Sequence, residues 1–340
     1  MFKEFLKKII DGQTLTETEA KQAMDIIMNG EATSSQIASL LTVLRFRGET
    51  IEEMTGFVRS MREHVLRVDH DMEVMDTCGT GGDGSSTFNI STAAAIVLSS
   101  LGVKVAKHGN RAASSKSGSA DVLEYLGIPI QSSVETSLDA LRNKNMCFLY
   151  AQAHHVSMKH AAPTRKEVGF RTIFNLLGPL TNPANSQRQL IGVFDTAYAE
   201  KMAETLKNLG TKRALIVTGG DGIDECSITT HTDIVTLDHG AITRSTLTPE
   251  EVGLKRGSME DIRVNSVQES GEMILSVLSG RGNESATNIV LLNAGAGLYA
   301  AEKAETIAEG VHRATEAINS GRVFEHLQEL REDRKVESHA

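Results

Sequence analysis

The sequence predicts an α/β protein: a small all-helical domain followed by a larger α/β domain with a mostly parallel central sheet. Three observations predict it. Residues 1–68 place apolar side chains at helical spacing only. After Asp69–Asp71, short β-rich runs alternate with helical segments, the pattern of strands joined by crossover helices. Hydrophobic residues make up 40% of the 340, with 4% aromatic and no Trp, so an aliphatic core of globular size is expected. These place a helical domain over 1–70 and an α/β domain over 71–340.

Along the chain, Phe2, Phe5, Leu6, Ile9 and Ile10 fall at i, i+3, i+4, i+7 and i+8 and form one apolar helix face. Three more helices follow, each opened by a capping-box pair: Thr16/Glu19, Thr33/Gln36 and Thr50/Glu53. Four short helices with large apolar faces also offer a surface to a second subunit. Strands are expected near Val74–Asp76, Val103–Lys107, Cys147–Tyr150, Leu190–Phe194, Ala214–Thr218 and Ile234–Leu237. Helices are expected over Asn89–Leu101, Ser119–Leu126, Ala197–Leu209, Gln268–Leu278 and Ala286–Ile318. A stretch rich in His, Pro, Gly and Asn (154–187) interrupts the alternation and is expected to carry helices back to the first domain. The tail from about Glu332 reads as frayed.

The net charge of −9 argues against binding nucleic acid by bulk charge, so any anionic ligand needs a local site. The longest apolar run, Ala93–Leu98, is far short of the roughly 20 residues that span a bilayer. The N-terminus is broken by Lys3, Glu4, Lys7 and Lys8, unlike a signal peptide. Cys78, Cys147 and Cys226 are too scattered for a disulfide framework or a cysteine zinc site. A cytoplasmic protein without membrane or nucleic-acid partners is expected.

The densest chemical signal runs from Asp76 to Thr92, with four glycines in six positions (Gly79, Gly81, Gly82, Gly84) before a Ser/Thr-rich helix start. Unobstructed backbone N–H groups and a helix N-terminus cradle phosphate without side-chain charge; a plain Gly-rich turn is the alternative. Gly79, Gly81 and Gly84 match G-x-G-x-x-G, but the next strand runs into Lys107-His108 where a dinucleotide site needs an acid. Ser85 and Ser86 stand where a P-loop needs Lys and Ser/Thr. A second connection, Lys107 to Ser119, holds three cations and four hydroxyls at another strand end, either the far side of a phosphate-bearing ligand or a solvated basic loop. The third segment is Gly219 to Glu225. Its Asp224-Glu225 pair suits the hard oxygen-ligand preference of Mg²⁺, although alone such a pair is more often a solvated turn. His154, His155 and His160 lack zinc-motif spacing and read as structural or pocket-lining. Cys78 has no base nearby in sequence and reads as a packing residue.

In order and spacing these segments resemble the anthranilate phosphoribosyltransferases over nearly the whole chain. The resemblance rests on Gly79-Thr80-Gly81-Gly82-Asp83-Gly84 with Thr87-Phe88-Asn89-Ile90-Ser91-Thr92, and on Lys107-His108-Gly109-Asn110-Arg111. It rests equally on Arg165 with the run from Arg171 to Pro183, and on Asp221-Gly222-Ile223-Asp224-Glu225. It implies a nucleoside phosphorylase/phosphoribosyltransferase-like architecture and a homodimer joined through the helical parts. It also implies transfer of the phosphoribosyl group of 5-phosphoribosyl 1-diphosphate (PRPP) to the amine of anthranilate in tryptophan biosynthesis, with release of diphosphate. Gly79, Gly82, Asp83, Thr87, Asn89, Ile90, Ser91, Thr92, Lys107, His108, Gly109, Asn110, Arg111, Ala112, Ala113, Ser114, Ser115 and Ser119 are then expected to hold PRPP. Gly79, Asn110 and Arg165 are expected to meet anthranilate, with His108, His155, Gly178 and Pro179 along its path, and Ser91, Asp224 and Glu225 to hold Mg²⁺. The neutral aniline nitrogen requires no general base; Asp83 and His108 are the candidates should one act. No glutaminase partner is assigned. The nearest rival of the same architecture, a pyrimidine nucleoside phosphorylase, carries Lys-His-Ser where this chain has Thr77-Cys78-Gly79.

Overall fold

The N-terminal helices form where the caps direct. α1 (Phe2–Ile10) buries Phe2, Phe5 and Ile9 and leaves Ile10 65% exposed at its rim. α2 (Glu17–Met28), α3 (Ser34–Arg47) and α4 (Ile51–Glu63) each begin with the expected capping box, the hydroxyl accepting the backbone N–H three residues on and the acid or amide reaching back. Gly56 lets α4 settle on α2, because a Cβ there would lie 2.2 Å from the Glu17 carbonyl oxygen. The computed structural model describes residues 1–112 and 116–331; the tail read as frayed lies outside them.

The α/β part follows as β1 (Val74–Gly79), α5 (Ile90–Ser100), β2 (Lys104–Gly109), α6 (Ser119–Tyr125), α7 (Val134–Lys144) and β3 (Met146–Tyr150). Next come α8 (Ala151–His154), α9 (Ala162–Val168), α10 (Ile173–Leu177), β4 (Arg188–Gly192), α11 (Thr196–Asn208) and β5 (Arg213–Gly219). β6 (Thr232–Asp238), β7 (Ala241–Leu247), α12 (Val267–Leu278), α13 (Glu284–Ala300), α14 (Ile307–Asn319) and α15 (Arg322–Arg331) complete it. The sheet order is β3-β2-β1-β4-β5-β6-β7, parallel from β3 through β5. The expected fold class is therefore the observed one. On one face α5 and α12–α15 bury an aliphatic core. On the other, residues of α1–α4 share one apolar cluster with Ile173, Phe174, Leu176, Leu177 and Leu180 from the 154–187 stretch. No helix of the described residues is long and apolar enough to cross a membrane.

The structure corrects the sequence reading at several places. β6 and β7 are antiparallel, and β7 was not anticipated because most of its residues are exposed and polar, with too few apolar positions to show alternation. The His239-Gly240 turn, with φ of 46° and 89°, is the short hairpin signal that marks it. The helical run Ala286–Ile318 is two helices. The break carries no Gly or Pro, only Glu302 at φ 56° and the Thr306 cap that opens α14. The polar helix α7 and the C-terminal α15 were missed. β1 and β2 continue to Gly79 and Gly109, past the expected Asp76 and Lys107, because parallel pairing with Gly192 and Tyr150 carries the ladder through polar residues.

Candidate active site

Ligands of such sheets gather at the C-terminal strand ends where the strand order reverses. Here the chain runs outward from β1 to β2 and β3, then returns to place β4 on the other side of β1. The reversal brings the glycine loop after β1 against the acidic segment after β5. Gly81, Gly82 and Gly84 hold φ of 67°, 74° and 75°, the left-handed region open to glycine. A Cβ on Gly79 would lie 2.2 Å from an Asp224 carboxylate oxygen, so the absence of side chains lets the two segments touch.

Asp224 Oδ2 accepts the Gly81 N–H at 2.7 Å, and Glu225 Oε1 accepts the Ser91 N–H at 3.1 Å at the start of α5. The two carboxyls are pushed up to about 7 and about 8: burial acts on both, with repulsion from Asp83 on Asp224 and from Asp224 on Glu225. Burial and mutual repulsion thus keep the free site from carrying its full negative charge near pH 7. Asp83 accepts the Ser85 N–H at 3.1 Å and the Ser85 hydroxyl at 2.6 Å, which shapes the loop. Asn89 is held by the Ser117 and Ser270 hydroxyls at 2.6 and 2.8 Å.

Beside this anionic side opens a cavity of about 730 Å³ whose lining includes Gly79, His108, Asn110, His155, Arg165 and Phe174. Arg165 lies 5.0 Å from the Phe174 ring centre; burial draws its guanidinium below its ordinary range, and no carboxylate among the described residues pairs with it. His108 and His155 lie with ring centres 5.0 Å apart, and the Nε2 of each is buried without a hydrogen-bond partner among the described residues. Burial, then repulsion between neighbouring histidines, holds His108 well below its ordinary pKa and His155 at about 4, so both are neutral near pH 7. Gly178 and Pro179 line the same cavity.

Several expected residues occupy positions unlike an open ligand contact. Lys107 is 1% exposed; its Nζ donates to Thr77 O at 2.6 Å and to the Ser91 hydroxyl at 3.3 Å, beneath the loop. Its charge reaches the cleft through Ser91 and Glu225. Ile90 and Thr92 are buried in α5, which leaves Ile90 only its backbone to offer. The Arg111 guanidinium is engaged by Asp121 and Glu124, and the Ala112 N–H by Asp121. Ser119 donates to Asn110 O at 3.3 Å. Ala113, Ser114 and Ser115 lie outside the described residues. His154 is structural, bonded to Leu66 O, while burial and the adjacent Asp76 push the Cys78 thiol well up. Sequence reasoning gave no role to Asp76 or Arg171. Asp76 is a fully buried carboxylate that accepts from the His108 N–H and from Asn182, a neighbour too remote in sequence to foresee.

A model of the glycosyl transferase family a/b domain matches residues 71–324, and one of that family's helical bundle domain matches 3–65. An anthranilate phosphoribosyltransferase from a Geobacillus species is 59% identical over 340 residues, with the whole of both chains covered. The chain belongs to the anthranilate phosphoribosyltransferase family. The Priestia megaterium anthranilate phosphoribosyltransferase is 51% identical, again over the whole of both chains. Among solved structures, the family's Thermus thermophilus member superposes with a TM-score of 0.90 at 41% identity, covering 96% of this chain and 97% of that one. The Saccharomyces cerevisiae anthranilate phosphoribosyltransferase, solved in complex with PRPP and Mg, gives 0.88 at 27% identity, with 97% of each chain covered.

Proposed function

We propose that this chain transfers the phosphoribosyl group of PRPP to the amine of anthranilate, giving N-(5-phosphoribosyl)anthranilate and diphosphate in tryptophan biosynthesis. One observation carries the reading: a glycine loop whose Gly82, Asp83 and Gly84 N–H groups have no hydrogen-bond partner among the described residues, together with surplus carboxylates, adjoins a cavity that holds a carboxylate-free arginine. The first suits a metal-bound diphosphate, the second a small aromatic acid.

Asp224, Glu225 and the Ser91 hydroxyl are the donors for Mg²⁺. Mg²⁺ held there would complete its shell with water and phosphate oxygens. When bound, the ion neutralises charge on the departing diphosphate. The Gly82, Asp83 and Gly84 N–H groups, without partners among the described residues, would donate to the same charge as it grows. Gly79, Gly82, Asp83, Thr87 and Asn89 shape the PRPP loop, with Ile90, Ser91 and Thr92 at the helix start. Lys107 acts from below, and His108 to Ala112 with Ser119 form the second wall. Arg165 pairs with the anthranilate carboxylate and turns the amine toward ribose C1, with Asn110 and Gly79 beside it. Neutral His108 and His155 offer polar edges to the ring without adding charge.

Two copies join through the helical unit, where Phe46 on α3 is 93% exposed and Ile10 on α1 65%. The three free thiols suit a reducing cytoplasm. The test is the decay of anthranilate fluorescence with purified protein, PRPP and Mg²⁺, with EDTA and PRPP-free controls. Decay that needs both additions is expected; its absence in folded protein overturns the reading and favours nucleoside phosphorolysis. Light scattering of the same sample checks the dimer.

A further inference from the structure

Across the glycine loop from Asp224 stands Arg171. It follows α9, where Gly169 at φ 70° turns the chain, so it is delivered by the stretch packed against the helical unit and not by the sheet. Its guanidinium rests against the loop: a Cβ on Gly82 would come 2.8–2.9 Å from Nε, Cζ and Nη2. The Phe194 ring holds it from behind, 4.1 Å away. It makes no hydrogen bond or ion pair among the described residues, although Asp224 feels its charge. A planar fork of five donors, fixed by a ring and facing a phosphate-type loop, has positioned groups without acceptors. The acceptors it fits are phosphate oxygens in a bidentate pair.

We propose that Arg171 is a leaving-group clamp that donates to the non-bridging oxygens of the PRPP diphosphate as the C1–O bond breaks. The proposal rests on the chain being the PRPP-dependent transferase above. The amine lone pair forms the N–C1 bond, the C1–O pair leaves with diphosphate, and the extra amine proton passes to water. Arg171 takes no proton. It stabilises charge that is larger in the transition state than in bound PRPP, which acts on kcat. Coming from the side of the molecule that carries Arg165, it makes leaving-group stabilisation depend on the same packing that positions the acceptor.

The test compares wild type, Arg171→Ala and Arg171→Lys as full chains at saturating Mg²⁺. In Arg171→Ala, kcat is expected to fall about 100-fold or more, with the KM for anthranilate held within about threefold. Inhibition by diphosphate should weaken about tenfold or more, for a lost charged hydrogen bond, while inhibition by ribose 5-phosphate stays unchanged. Added guanidinium should restore part of the Arg171→Ala rate, which a merely structural role would not allow. Unchanged kcat overturns the proposal, as does weakened ribose 5-phosphate inhibition with diphosphate inhibition intact, which would put Arg171 on the 5′-phosphate. If the alanine variant does not fold, Arg171→Lys decides by the same kcat and diphosphate readings. An inactive wild type would instead fail the functional reading itself.

Discussion

Glu53 in the helical unit and Glu225 in the cleft are both acids held close to backbone N–H groups, yet their surroundings are opposite. Glu53 is fully buried and closed on every side: its carboxylate accepts from the Leu15 and Thr50 N–H groups, both at 2.9 Å, and from Arg47 Nη2 at 2.6 Å to each oxygen. Glu225 accepts one N–H, faces Asp224, and among the described residues has only the buried Lys107 as a nearby cation. The contrast separates structural charge from functional charge. The first is neutralised within the chain; on the function proposed above, the second is left for a ligand to neutralise.

The largest way to break the comparison is to open the closed side. Arg47→Ala leaves Glu53 buried without a countercharge and should cost about 3–5 kcal/mol in urea unfolding; a loss under 1 kcal/mol would mean that the pair is not what holds α3 to α4. On the open side, Glu225→Gln should lower Mg²⁺-dependent turnover about 100-fold without weakening the free protein. A carboxyl raised above its unfolded value gives stability below about pH 4.5 that is lost as pH rises through about 8. Free Glu225→Gln should therefore melt above wild type at pH 8.5 and level with it near pH 4. The reverse order would contradict surplus charge at the site.

A smaller effect tests the cavity. Arg165→Ala should raise the KM for anthranilate about 10–100-fold, the worth of a charged hydrogen bond, and leave diphosphate inhibition as it was. Equal loss of both would merge the two adjoining sites proposed above. The smallest concerns acid. His155, drawn down to about 4, supports the fold fully above about 6.5 and progressively less as pH falls toward 4. His155→Asn should flatten that limb of the Tm profile by a few degrees; an unchanged limb would assign it to other groups.

Legibility in the sequence followed the range of the forces. Capping boxes and apolar periodicity act within one turn, so α2–α4 could be read from Thr16, Thr33 and Thr50. The glycine loop was visible because four glycines leave few readings. What was hidden depends on partners far along the chain: that Lys107 would lie buried under Thr77, that Asp121 and Glu124 would occupy Arg111, and that Arg171 would reach Gly82. β7 was hidden for another reason, since an edge strand facing water carries little apolar signal.

The apolar cluster that joins α1–α4 to Ile173, Phe174 and Leu177 has a consequence for biogenesis. α1–α4 emerge ahead of Ile173, Phe174 and Leu177, so although α2 and α4 can pack on each other at once, the part of their apolar surface that these later residues cover waits until more than a hundred further residues have emerged, many seconds at about 5–20 residues per second. That remaining surface is open to chaperones or to another nascent chain in the meantime. Slow codons placed before residue 180 would lengthen that exposure, and faster ones would shorten it.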